Sequence, residues 1–160
     1  MPRSTSTSHV VHAPPDDVFA TVTDVRRLPE WNAAMTRVVE APDDLAVGAE
    51  WVVEFHALGR TWRSRARVDD LDREGRRFTY RSGTDDGNAS WARWTWAVDQ
   101  HPEGSLVRVG FELHPVTFWR RILLAGIRAR QLSRREIPAS LAALESAVRP
   151  SSHDEIGADR

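Results

Sequence analysis

The chain has 160 residues, of which 41% are hydrophobic and 28% are charged, and its formal net charge is −1. This length and composition predict one folded domain and exclude a disordered or fibrous protein. Cysteine is absent and all 22 basic residues are arginine, which excludes disulfides, thiolate chemistry and lysine-based catalysis.

The N-terminal segment is predicted to form one strand and two short helices. The strand covers about residues 5–12 and ends before Pro14. A second helix is predicted over residues 25–30, with Asp24 as its N-cap and Pro29 limiting its length. The helix between them follows from three apolar residues with the spacing of one buried helical face, namely Val18, Phe19 and Val22.

Six further strands are predicted between Met35 and Leu113, because the apolar residues there recur with a period of two. One face of these strands carries Trp51, Val53, Phe55, Trp62, Ser64, Ala66, Val68, Phe78, Tyr80, Ser82, Trp94, Trp96, Val98, Val107, Val109, Phe111 and Leu113. The other face carries Glu50, Glu54, Arg63, Arg65, Arg67, Arg77, Arg81, Arg93, Arg108 and Glu112. This alternation predicts an antiparallel sheet with one covered face and one solvated face, on which cross-strand charge pairs form.

A long amphipathic helix is predicted over residues 117–148, and Pro138 should kink or split it near residues 134–137. We expect this helix to cover the apolar face of the sheet. Residues 1–149 then form a single domain, and the polar residues 150–160 are expected to be a disordered tail. With no secretory signal or membrane span in the sequence, we expect a cytoplasmic protein.

The order of elements resembles the START-related (SRPBCC) superfamily of helix-grip proteins, which includes plant pollen-allergen proteins, lipid-transfer domains and polyketide aromatase/cyclases. The resemblance extends from about Thr7 to Val148. It rests on the segment V-H-A-P-P-D-D-V-F (Val11 to Phe19) and on Asp24, Leu28, Pro29, Glu30, Trp31, Asn32, Gly48, Ser140, Leu141 and Leu144. It implies an α+β fold in which a curved seven-stranded antiparallel sheet grips the C-terminal helix, with a cavity between them.

The resemblance and the aromatic face together predict a carrier or sensor that binds an apolar or aromatic small molecule, such as a lipid or a polyketide. Aromatic rings opposite small helical residues either interdigitate as a solid core or leave a cavity, and we expect a cavity. No cofactor and no catalytic residue are predicted. The expected ligand-binding residues are Trp51, Phe55, Trp62, Ser64, Phe78, Tyr80, Ser82, Trp94, Trp96, Phe111, Ile122, Ala125 and Ala129.

A polyketide cyclase, aromatase or dehydratase of the same fold is the enzymatic alternative. Such relatives are expected to place an arginine on the inward face of the strand that here covers residues 61–71. The alternation instead turns Arg63, Arg65 and Arg67 outward, unless a β-bulge shifts the phase. This arrangement argues against cyclisation.

The histidines and the charged residues indicate which other partners are expected. A metal site is not predicted, because His9 and His12 should point to opposite sides of one strand. The outward arginines are expected to face solvent rather than nucleic acid. A basic arc on the long helix suggests an interaction module, a homodimer contact or transient docking on an anionic membrane; it consists of Arg120, Arg121, Arg128, Arg130, Arg134 and Arg135.

Overall fold

The computed structural model describes residues 3–57, 59–87, 89–114 and 135–148. Its elements in chain order are β1 (Arg3–Val11), α1 (Pro15–Thr23), a 3-10 turn (Val25–Arg27), α2 (Leu28–Trp31), β2 (Met35–Glu40), β3 (Glu50–Ala57), β4 (Arg60–Asp72), β5 (Arg77–Thr84), β6 (Trp91–His101), β7 (Gly104–His114) and α3 (Ile137–Ala147). The predicted order of one strand, two short helices, six strands and a C-terminal helix is confirmed.

The seven strands form one antiparallel sheet in the order β1-β7-β6-β5-β4-β3-β2. Each strand from β2 to β7 pairs with its neighbour in sequence, while β1 pairs with β7. The two short helices therefore connect strands at opposite edges of the sheet. This curved sheet with a C-terminal helix on one side is the helix-grip fold that the sequence predicted.

The two short helices are built from local sequence features. Proline occupies the first turn of α1 at Pro15, where its missing N–H costs nothing. The side chain of Asp24 accepts a hydrogen bond from the backbone N–H of Arg26 and so caps the 3-10 turn. Leu28 and Trp31 of α2 are both buried, so the short helices bring apolar side chains to one end of the sheet.

The sheet has an inner face, which packs against the three helices, and an outer face of paired charges. The outer charges pair across strands, as predicted: Arg65 contacts Asp85 at 3.0 Å and Glu50 at 3.4 Å. Arg81 contacts Asp69 at 2.8 Å. Six of the seven predicted outward arginines have an acidic partner of this kind, which lets them share one surface.

A β-bulge in β4 falls at Asp69, between the pairs that Val68 and Asp70 make with β5. The phase of the strand before the bulge is therefore preserved. Arg63, Arg65 and Arg67 point outward, and Trp62, Ser64, Ala66 and Val68 lie on the inner face. The predicted phase of this strand is confirmed.

Helix α3 packs on α1, α2 and β1. Its side chains Leu141 and Leu144 are almost fully buried. The guanidinium of Arg27 donates a hydrogen bond of 2.6 Å to the carbonyl of Ala147, close to the C-terminus of the helix. Cations are favourable at this end of a helix because its last carbonyls lack partners.

Residues 135 and 136 form a wider helical turn, and α3 begins at Ile137, one residue before Pro138. Proline is tolerated there because it lies in the first turn of the helix. The N-terminal part of the predicted long helix, its basic arc apart from exposed Arg135, and residues 150–160 lie outside the described residues. Among the helices within the described ranges, none is long and apolar enough to span a bilayer.

Candidate ligand-binding site

The inner face of the sheet is divided into a packed half and an accessible half. In the packed half, four predicted site residues are only 1–6% exposed and belong to the hydrophobic core, namely Trp51, Phe78, Trp96 and Phe111. Trp96 also meets the ring of Trp31 edge-on at 5.5 Å. The helices that cover this half come from the β1–β2 connection and from α3.

The accessible half lies toward the β3–β4 hairpin and the β5–β6 turn. Six predicted site residues there keep accessible surface although they lie on the inner face, namely Phe55, Trp62, Ser64, Tyr80, Ser82 and Trp94. An apolar inner face normally buries its side chains completely in a packed core. These residues form the part of the inner face that the described helices do not fully cover.

Aromatic side chains of both halves form one continuous surface on the inner face, which we call the aromatic wall. The Tyr80 ring lies 4.9 Å from Trp51 and 5.1 Å from Phe78, centroid to centroid. On its other side it stacks near Trp94 at 6.4 Å with an interplanar angle of 18°. Farther along the face, Phe55 and Trp62 stack at 5.5 Å with an angle of 6°. Flat rings that lie nearly parallel can stack against a planar apolar ligand.

Three hydroxyl groups lie on the aromatic wall. The indole Nε1 of Trp94 donates a hydrogen bond of 3.2 Å to Ser82 Oγ. The hydroxyl of Ser64 donates to the carbonyl of Gly83 at 3.0 Å. Burial raises the pKa of Tyr80 to about 12. Tyr80 is therefore a neutral phenol at physiological pH.

Charge is excluded from the middle of the inner face. From Trp62 to Val68, from Phe78 to Thr84 and from Ala92 to Val98, the inner positions of β4, β5 and β6 hold no ionisable acid or base except the phenol of Tyr80. Arg60 continues the inner phase of β4, but it is exposed at the hairpin. Among the described residues, no group of three histidine or acidic side chains is placed to hold a metal ion.

Contrary to the prediction from the sequence, the side chains of His9 and His12 do not point to opposite sides of one strand. Strand β1 ends at Val11, so the alternation of strand side chains does not extend to His12. Both imidazoles approach the same carboxylate of α3: Nε2 of His9 lies 3.9 Å from Glu145, and Nδ1 of His12 lies 2.7 Å from it. The two histidines hold the C-terminal helix against β1.

The outer face holds a separate polar cluster. Trp91 stacks on His114 with centroids 3.8 Å apart, and the guanidiniums of Arg81 and Arg93 lie 5.6 and 5.5 Å from its ring. A neighbouring open groove of about 320 Å³ is lined by Arg93, Glu112, Gly110, Phe111 and small polar residues. Arg81 and Arg93 already contact Asp69, and His114 contacts Glu112 at 2.6 Å. The groove lies on the side of the sheet opposite the aromatic wall.

Ten of the thirteen predicted site residues thus lie on one face, six of them accessible and four in the packed core. The remaining three, Ile122, Ala125 and Ala129, lie outside the described residues. Two neighbours were missed: Thr84, which pairs with Ser64, and Arg60 at the hairpin. Extending the two-residue period to the strand ends would have found both.

Comparison with known proteins agrees with this fold. Protein CV1439 from Chromobacterium violaceum superposes with a TM-score of 0.71 at 23% identity, covering 94% of this chain and 100% of that one. The Zhui aromatase/cyclase from Streptomyces sp. R1128 gives 0.73 at 18%, covering 92% and 94%. Major latex-like protein 151 from Panax ginseng gives 0.70 at 11%, covering 94% and 99%.

At these identities the structural neighbours show a shared fold and no more. A comparison with curated protein sequences finds no match. The family model described as polyketide cyclase/dehydrase and lipid transport matches residues 2–149. Because the match spans almost the whole sequence, the chain belongs to this family of helix-grip proteins.

Proposed function

We propose that this protein binds an apolar or aromatic small molecule between the inner face of its sheet and its C-terminal helix, as a carrier or sensor. The observation that carries the proposal is the accessible half of the aromatic wall, formed by Phe55, Trp62, Tyr80 and Trp94. Ligand sites are typically apolar cavities with a few polar groups that orient the ligand. The wall and its three hydroxyls match that description.

The chemistry of the wall favours binding over catalysis. A general acid or base works best with a pKa near the operating pH. Tyr80 is the one ionisable group in the middle of the described inner face, and its pKa of about 12 lies far from that range. A nucleophile with an adjacent base is also missing from this part of the face.

A polyketide cyclase or aromatase is the second candidate, and the family model is the observation that favours it. Against it stands the outward direction of Arg63, Arg65 and Arg67 in β4. We expect no cyclised product above background when the protein is combined with a minimal polyketide synthase. A clear rise in the cyclised fraction would instead support the enzymatic function.

Native mass spectrometry of the protein purified from its parent organism tests the binding function directly. We expect a bound mass that disappears on denaturation and that an apolar solvent extracts. The extracted compound would identify the ligand class. A protein that carries no adduct, and that takes up no lipid or aromatic compound from a solvent extract of the same cells, would contradict the proposal.

A further inference from the structure

A diagonal hydrogen bond between β5 and β6 holds one hydroxyl of the aromatic wall. Tyr80 pairs directly with Trp94, and Ser82 pairs with Ala92. The indole of Trp94, however, reaches along the strand to donate to Ser82 Oγ at 3.2 Å. One indole thus holds the Ser82 hydroxyl, and the Tyr80 phenol lies two residues earlier on the same face of β5.

The direction of this hydrogen bond determines what the Ser82 hydroxyl can still do. An indole N–H is a donor only, so Ser82 Oγ is the acceptor. The hydroxyl hydrogen of Ser82 then remains available, and neither it nor that of Tyr80 has an acceptor among the residues that the structure describes. Ser64 differs, because its hydrogen is already donated to Gly83.

The two available donors are close together and face the same side. Tyr80 and Ser82 are separated by one residue on β5, which places their Cα atoms roughly 6–7 Å apart on one face. Both side chains lie in the accessible half of the wall. Among the described residues, the uncharged middle of the inner face offers no cation that would compensate a buried carboxylate there.

We propose that this site selects neutral ligands that carry hydrogen-bond acceptors, such as ketone or quinone carbonyl groups, and that Tyr80 and Ser82 determine this specificity. Trp94 acts as a positioning residue, because it orients the Ser82 hydroxyl. The inference rests on the proposed binding function and adds the polarity of the ligand to it. Carboxylates and pure hydrocarbons of the same shape bind more weakly.

Three naphthalene probes of matched size test this selectivity: 2-acetylnaphthalene, 2-ethylnaphthalene and 2-naphthoate. The ketone has an acceptor, the hydrocarbon has none, and the acid is charged at pH 7. Equilibrium dialysis of each probe against the full-length protein gives its Kd. A neutral hydrogen bond corresponds to roughly a 3- to 10-fold change in affinity, so the ketone should bind about that much more tightly than the hydrocarbon.

Variants assign the selectivity to the two hydroxyls. Tyr80→Phe and Ser82→Ala remove the donors and leave the rings, so the ketone-to-hydrocarbon ratio should fall toward one in the double variant. Trp94→Phe should lower the same ratio by releasing Ser82. In the infrared, the carbonyl stretch of bound 2-acetylnaphthalene should lie at lower frequency in the wild type than in the double variant. Purely structural damage would weaken all three probes together.

The possible outcomes distinguish a failure of the proposed selectivity from a failure of the proposed binding function. If ketone and hydrocarbon bind equally to the wild type, or if their ratio survives the double substitution, the selectivity is wrong while the binding function stands. Tight binding of 2-naphthoate that Arg60→Gln abolishes would also overturn the inference, since it would assign ligand recognition to the rim. Failure of every probe to bind would contradict both the inference and the binding function.

Discussion

The Nδ1 atom of His12 lies 2.7 Å from a carboxylate oxygen of Glu145, a residue 133 positions later in the chain. This contact joins the segment after β1 to the C-terminal helix α3. Glu103 approaches the same imidazole from the β6–β7 turn, at 3.9 Å, and His9 approaches Glu145 at 3.9 Å. Three distant parts of the chain therefore meet where α3 is held against the sheet.

This contact predicts a pH-dependent effect of Glu145→Gln. The hydrogen bond and the charge of Glu145 raise the pKa of His12 above its usual 6.5, and His12 lowers the pKa of Glu145 below its usual 4.5. The stability from His12 is fully present below pH 6.5 and is lost as the pH rises through its raised value. The stability from Glu145 is present above pH 4.5 and is lost as the pH falls through its lowered value.

The substitution should therefore lower the melting temperature most between pH 4.5 and 6.5, with the difference narrowing above that interval. Thermal unfolding across pH 4 to 9 (about one pH unit per step) measures it. Glu103→Gln is the matched control, since its carboxylate is farther from His12, and its effect should be smaller. A Glu145→Gln effect that is flat with pH would show that the ion pair does not contribute.

Gly104 predicts a second, purely steric effect. Its φ is +133°, and a Cβ there would lie 2.5 Å from the carbonyl oxygen of Val11 and 2.8 Å from the backbone nitrogen of Ala13. Backbone atoms cannot move aside as a flexible side chain can. Gly104→Ala should therefore cost more than about 2 kcal/mol of unfolding free energy in urea titrations.

Gly87→Ala is the control for that substitution. Gly87 also has a positive φ, +81°, but a Cβ there meets no atom within 4 Å. It should cost only about 1 kcal/mol, the penalty of the left-handed conformation itself. Equal losses at both glycines would mean that the close approach to β1 is not what requires glycine at position 104.

The packing of α3 predicts the effect of shortening Leu144, whose side chain is fully buried. Leu144→Ala should lower the unfolding free energy by about 2–5 kcal/mol, because it removes apolar contacts and leaves a cavity. Exposed Ser146 lies on the same helix, and Ser146→Ala should stay within about 0.5 kcal/mol of the wild type. A loss below about 1 kcal/mol for Leu144→Ala would indicate that the helix does not close the core.

The two-residue alternation was enough to predict the sheet and its faces, because a strand with one buried face must place alternate residues on opposite sides. Arg63, Arg65 and Arg67 were assigned outward for this reason, and the bulge at Asp69 comes too late in β4 to reverse them. Helices α1 and α2 followed from apolar spacing and from local caps. These features depend on neighbouring residues only.

The division of the inner face into a packed half and an accessible half could not be predicted in this way. Trp51 and Tyr80 are both aromatic and both occupy inner positions of the two-residue alternation. Yet Trp51 is buried in the core and Tyr80 keeps accessible surface. The difference comes from where α1, α2 and α3 lie over the sheet, which is a property of tertiary packing. For the same reason the sequence did not reveal the contact of His12 with Glu145, or the diagonal hydrogen bond of Trp94 with Ser82.

The measurement that most directly tests ligand binding on the inner face is a fluorescence titration with the neutral probe N-phenyl-1-naphthylamine. Two variants of β4 are compared with the wild type: Ser64→Trp, on the accessible inner face, and Arg63→Trp, on the outer face. We predict saturable one-to-one binding that Ser64→Trp weakens at least tenfold and Arg63→Trp leaves within twofold, with both variants folded by near-ultraviolet circular dichroism. Absence of saturable binding to the wild type, or equal loss in the two folded variants, would contradict the account.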